Sequence, residues 1–176
     1  LSASDLNDII LDALRSRIVG VIPDQIREAL APLTEEQLWW RPNDSSNSAG
    51  VIVLHLAGSM QHFVTHLIGG QPFQRNRPAE FEPPVKPSKA EVLQQFEAML
   101  AGVRATLDAL TPGDLAGATS EPARYRSRFE DLLAVGQHMS SHAGQLAYIA
   151  KSVQPGSVTD LWQRAHRAAG AWRDPA

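Results

Sequence analysis

Apolar residues recur at three- and four-residue intervals along most of the chain and nowhere alternate strictly, the pattern of amphipathic helices rather than strands. The first stripe is Leu6, Ile10, Leu14, Ile18 and Ile22, with Asp5, Asp8 and Asp12 in its early turns, where carboxylates suit the helix dipole. Pro23 interrupts this stripe, yet Ile26, Leu30 and Leu33 continue it. A kinked helix and a break restarting at Pro23 are both open. Pro32 ends the run, and Thr34-Glu-Glu-Gln37 reads as a capping box opening a short turn. Trp39 and Trp40 follow, placed to pack under a loop.

Beyond the polar linker Asn43 to Asn47, one of Ser46, Asn47 and Ser48 caps a second helix reaching about Ile68. Its opening, Val51 to Ala57, is apolar on almost every side, which predicts a central place among its neighbours. Gly69 to Pro87 is a proline-rich connection. Fully extended at ~3.3 Å per residue, it could run the length of a ~20-residue helix, so a crossover is feasible. Ser88-Lys-Ala-Glu91 caps a third helix carrying Val92, Phe96, Met99, Val103, Leu107 and Leu110, which Thr111-Pro-Gly ends. A linker from Asp114 to Tyr125 leads to a fourth, about Ser127 to Val153. Past Pro155-Gly156, Ser157 to Trp172 forms a short helix whose Leu161, Ala165, Ala168 and Trp172 share a face needing a partner. The expected architecture is all-α: a four-helix bundle with a long crossover between helices 2 and 3, plus a short C-terminal helix, in one domain over residues 1–176.

Composition narrows the chemistry. The 176 residues contain no Cys, which excludes disulfides, thiolate metal sites and cysteine nucleophiles. A net charge of −3 gives no reason to expect nucleic acid. No apolar run approaches the ~20 residues of a membrane span and no signal pattern opens the chain, so no membrane partner is expected and the cytoplasm is the default.

The stretch that organises the rest is His138-Met-Ser-Ser-His142. Rings four residues apart lie on nearly one helix face and can reach one point, and neutral imidazole ligates zinc, nickel, copper or ferrous iron. His142 falls in the apolar stripe Leu132, Val135, Met139, Leu146, Ile149, Val153, and a buried ring needs a partner. Gln145 stands beside the pair. On the second helix His55 sits in the most apolar stretch, either as a core histidine or as a third ligand, with Gly58 leaving space above it one turn on. Three nitrogens from facing helices would leave a coordination position open, the pattern of a catalytic metal. Met139 after His138 excludes the His-Glu-x-x-His protease arrangement. The second such pair, His62 and His66, lies two and three turns beyond His55, too far to share its ion, and reads as a lining or interface feature.

Taken together, Trp39-Trp-Arg-Pro-Asn43, Asn47-Ser48, His55-Leu-Ala-Gly58, Arg75-x-Arg77-x-x-Glu80-Phe81 and His138-x-x-x-His142-x-Gly144-Gln145 resemble the DinB superfamily of metalloenzyme-like proteins, over residues 20 to 152. The resemblance implies a crossover four-helix bundle, commonly a homodimer. It also implies a divalent metal, zinc or nickel, on His55, His138 and His142, and in some members a low-molecular-weight thiol cosubstrate. Ser59 and Gln61 depart from the residues usual after the glycine, and the tail beyond Gln154 departs as well. Two functions follow. One is transfer of such a thiol to a small electrophilic substrate, or its hydrolysis, with Arg75, Arg77 or Arg124 clamping a carboxylate, Glu80 transferring a proton and Gln145 orienting a ring. The other is a non-catalytic bundle that binds metal or a ligand.

Overall fold

The computed structural model describes residues 3–119 and 125–158. Helices account for its regular structure, and no strand occurs among the described residues. The first long helix comprises α1 (Ala3–Ser16), a π-helical turn (Arg17–Val21) and α2 (Ile22–Leu30) without a break. Pro23 is the reason for the widened turn. Its ring would clash with the carbonyl four residues back and cannot donate to it, and a π turn opens the spiral there. That carbonyl belongs to Val19, and Arg104 Nη2 takes it up at 2.8 Å. The helix therefore passes through Pro23, and the freed acceptor becomes a tie to the third long helix.

Thr34 and Gln37 close the expected capping box on α3 (Glu35–Leu38). Ser48 is the residue that caps α4 (Ala49–Met60), which continues into a second π turn (Gln61–His66). The crossover carries a short helix, α5 (Arg77–Phe81), capped by the Asn76 side chain. Ser88 and Glu91 box the start of α6 (Lys89–Ala109), a 3₁₀ turn (Pro112–Ala116) follows, and Ser127 caps α7 (Arg128–Val153).

Around the bundle α2 packs on α7, α7 on α4, and α4 on α6, with α6 closing on α1 and the first π turn. The second helix in sequence thus lies across the bundle from the first, an order that a long crossover permits. Buried apolar residues form one contiguous cluster centred on Ile18, Ile26, Leu56, Met60, Phe96, Met99, Leu132 and Met139. The helix ends are tied as well. Arg15 donates to the carbonyls of Leu107 and Leu110 at 2.8–3.1 Å, satisfying acceptors at the end of α6. Trp39 sits under the crossover as expected, its Nε1 donating to Pro87 O at 3.2 Å and its ring against Gly50. Trp40 is 39% exposed. The predicted C-terminal helix and the face of Leu161, Ala165, Ala168 and Trp172 lie outside the described residues, as does Arg124. Among the described residues no helix is long and apolar enough to cross a membrane.

Candidate metal centre

Facing turns of α4 and α7 bring His55, His138 and His142 together, and their ligand atoms lie within 4.8 Å of one another. His138 Nε2 is the middle atom, 3.1 Å from His55 Nε2 and 3.0 Å from His142 Nε2. Three imidazoles at ~2.0–2.1 Å from one tetrahedral ion would stand roughly 3.3 Å apart. All three residues are half-buried, and the stripe position beside His142 that is fully covered is Ala143.

The His55 and His142 rings are each held from behind. His55 Nδ1 lies 3.0 Å from Glu80 Oε2. Arg75 grips the same carboxylate by donating from Nε to Oε1 at 2.7 Å and from Nη2 to Oε2 at 2.8 Å. Burial alone would raise the Glu80 carboxyl, but the hydrogen bonds from Arg75 and His55, with their charges, outweigh it and hold it below the ordinary value. An ionised carboxylate only accepts, so His55 Nδ1 carries the hydrogen and its Nε2 presents a lone pair. On the other side His142 Nδ1 donates to Gln145 Oε1 at 2.8 Å, again leaving Nε2 bare. Burial pushes the His142 ring below its ordinary pKa, which favours this neutral form.

A hydrogen count then shows what the cluster suits. Two lone pairs converge on His138 Nε2, which holds at most one hydrogen and can satisfy one of them. A cation placed among the three nitrogens satisfies all of them at once. The donor set fits a borderline divalent ion, and the pair of outer hydrogen bonds is what ligating histidines ordinarily make.

Glycine 58 is what lets the carboxylate in. A Cβ there would stand 2.1 Å from Glu80 Oε1 and 2.6 Å from its Cδ. The space expected above His55 is thus filled by the crossover. Phe81, next on α5, packs against the His55 ring at 4.8 Å with the planes tilted by 41°, and the Arg77 guanidinium lies over the Phe81 ring at 4.8 Å. In front of the cluster a cavity of about 470 Å³ is walled by His55, His138, Arg75, Arg77, Tyr125 and Asp131, with Phe63 and Val135 among its apolar lining. Asp131, Tyr125 and Gln137 of this wall were not singled out from sequence. Asp131 in particular reads there as an ordinary first-turn acid behind the Ser127 cap.

The other pair does not join the cluster. The His62 and His66 rings stack 5.8 Å apart, and His66 Nδ1 donates to Gln71 O at 2.7 Å. Burial, with the nearby charges of Arg75 and His66, lowers the His62 pKa.

Fold and site together define a helical bundle in which three histidines can hold one metal ion. The chain belongs to DUF1572, a family of proteins of unknown function, whose model matches residues 6–163. Among solved structures it is similar to the crystal structure of a conserved protein of locus from Enterococcus faecalis. The identity is 17%, with 86% of this chain and 96% of that one covered and a TM-score of 0.56, a likeness of fold alone. Curated proteins give no match.

Proposed function

We propose that the protein is a divalent-metal-dependent enzyme of the DinB type, with zinc or nickel on His55, His138 and His142. Its reaction is transfer of a low-molecular-weight thiol to a small electrophile, or hydrolysis of that electrophile. The observation that carries this reading is the donor set itself: two tautomers locked from outside, three nitrogens converging, and a polar cavity in front. A non-catalytic site would be expected closed and completed by a fourth protein ligand. Among the described residues the group has three members, and two of them face the cavity.

When bound, such an ion lowers the pKa of a thiol or water and holds the resulting nucleophile. The chain's own residues supply position. Glu80 and Arg75 fix the tautomer and plane of His55, and Gln145 does the same for His142. This orienting role suits Glu80 better than proton transfer. Its carboxylate is 8% exposed, held ionised by Arg75 and turned to the back of His55. Arg75 is committed to that carboxylate, which among the described residues of the cavity wall leaves Arg77 as the arginine available to substrate. We also propose a homodimer, following the DinB resemblance and the exposed apolar groups Leu133 and Tyr148 on α7; light scattering at high concentration reads it directly.

The test of function is conjugation of bacillithiol, mycothiol or glutathione to a panel of electrophiles, with hydrolysis followed in parallel. Wild-type protein loaded with zinc or nickel should turn over at least one substrate, and His138→Ala should be inactive. Equal rates in the two proteins, with metal bound only by the wild type, would remove the catalytic reading for those reactions.

A further inference from the structure

We propose that the cavity in front of the three histidines selects small dianionic ligands, one acidic group at the metal and the second on Arg77. This rests on the metal reading above and adds to it the class of ligand.

Among the described residues two arginines wall this cavity, and their surroundings differ. Arg75 is 15% exposed at its side chain and spends its guanidinium on both oxygens of Glu80. That charge is neutralised in place. Arg77 is exposed, and no carboxylate pairs with it among the described residues. It is nevertheless held, because its guanidinium carbon lies over the Phe81 ring, 4.8 Å from the centroid, and Phe81 packs on the His55 ring at 4.8 Å. A cation–ring contact spends none of the guanidinium's N–H donors, which keep the fork that matches a carboxylate or phosphoryl group. The side chain is thereby ordered in advance for an anion, with its remaining donors unspent.

The reach is also suitable. Two ring contacts of 4.8 Å each separate the guanidinium from the His55 ring. A four- to six-carbon dicarboxylate covers such a gap once a ~2 Å metal–oxygen bond and a ~3 Å hydrogen bond are added at its ends. Phe63 and Val135, also on the cavity wall, offer apolar surface for a methylene spacer. Among the described residues the acid on the cavity wall is Asp131, which is 3% exposed and has a partner of its own. It stands seven residues before His138, roughly 10 Å of helix rise. With neutral histidines, a divalent ion and Arg77 outweigh it, so the cavity's field favours negative ligands.

The experiment uses cobalt(II) as the ion, whose visible spectrum responds to a new ligand. Cobalt-loaded wild type is titrated with succinate, glutarate and adipate, and with pentanoate as the single-acid control. At least one diacid should bind about tenfold more tightly than pentanoate, the worth of one charge-assisted fork. Arg77→Gln should bring the two within about twofold while cobalt affinity stays unchanged. Arg77→Lys should keep part of the preference, and Arg17→Gln, an exposed arginine on the first helix, all of it. A wild type that binds all four acids alike, or a preference that survives Arg77→Gln, overturns the dianion inference and leaves the metal site standing. Failure of cobalt to bind the wild type would overturn both.

Discussion

The chain contains two His-x-x-x-His pairs on long helices, and they end in different chemistry. At His138/His142 the rings meet edge-on at 80°, both Nε2 atoms turn to one point, and His55 arrives from α4 to complete it. At His62/His66 the rings lie nearly parallel at 28°, and one is spent on a backbone carbonyl. The first pair stands on regular α-helix, the second on a π turn, where the wider spiral changes how residues four apart align. Spacing therefore offers only an opportunity. What separates the pairs is a third ring from a facing helix, and a carboxylate and an amide that fix which nitrogen carries the hydrogen.

The sharpest break between the pairs should appear in metal affinity. His55→Ala or His142→Ala removes one of three ligands and should weaken zinc binding by more than about a hundredfold, a loss beyond what outer-sphere changes give. His62→Ala and His66→Ala should leave it within about twofold. Chelator competition reads both, and a large loss from His66→Ala would erase the distinction. Next in size, Glu80→Gln should cost roughly 10–100-fold in zinc affinity, because the carboxylate behind His55 sets its tautomer. Arg75→Gln should fall in the same direction by less, since Glu80 keeps its bond to His55.

Glycines near the two pairs offer a comparison in stability. Gly58→Ala drives a methyl into the Glu80 carboxylate and should destabilise by about 1–3 kcal/mol, with weaker metal binding alongside. Gly102→Ala, whose Cβ would meet only the Thr65 side chain near His66 at 3.4 Å, should be neutral or stabilising by up to ~1 kcal/mol. Urea unfolding of both variants tests this, and equal costs would deny Gly58 its special role. The smallest effect belongs to the exposed counterpart of the Glu80–Arg75 pair. Glu97, half exposed, is held below its ordinary 4.5 mainly by its hydrogen bond from Arg27. A depressed folded pKa gives stability that is present above the ordinary value and lost as pH falls through the folded one. Arg27→Gln should accordingly cost about 0.5 kcal/mol at pH 7 and close to nothing in acid below that range. Urea midpoints at the two pH values measure it.

Much of the scaffold was legible because its signals are local. Thr34, Ser48, Ser88 and Ser127 all cap helices where the sequence places caps, and the apolar stripes fill the core. The grouping of His55, His138 and His142 was legible in part from helix periodicity and in part from the family resemblance. The widened turn at Pro23 was not, since its resolution depends on Arg104, 81 residues further on in sequence, donating to the orphaned Val19 carbonyl. Nor could the sequence choose among roles for Arg75, Arg77 and Glu80. Arg77 and Glu80 stand on a five-residue helix too short for a periodic signal, with Arg75 in the loop before it, and what decides each role is which side chain the crossover lays against His55. Gly58 looked like empty space for the same reason: its occupant comes from a distant segment.

The most direct test of the central claim is X-ray absorption at the metal edge of zinc-loaded protein purified without an affinity tag. The expected result is one ion per chain, with three imidazole nitrogens at ~2.0–2.1 Å and a light-atom ligand completing the shell. In His142→Ala the imidazole count should drop, and in His66→Ala it should not. A bound ion showing no more than one imidazole, or a spectrum unchanged in His142→Ala, would contradict the three-histidine centre.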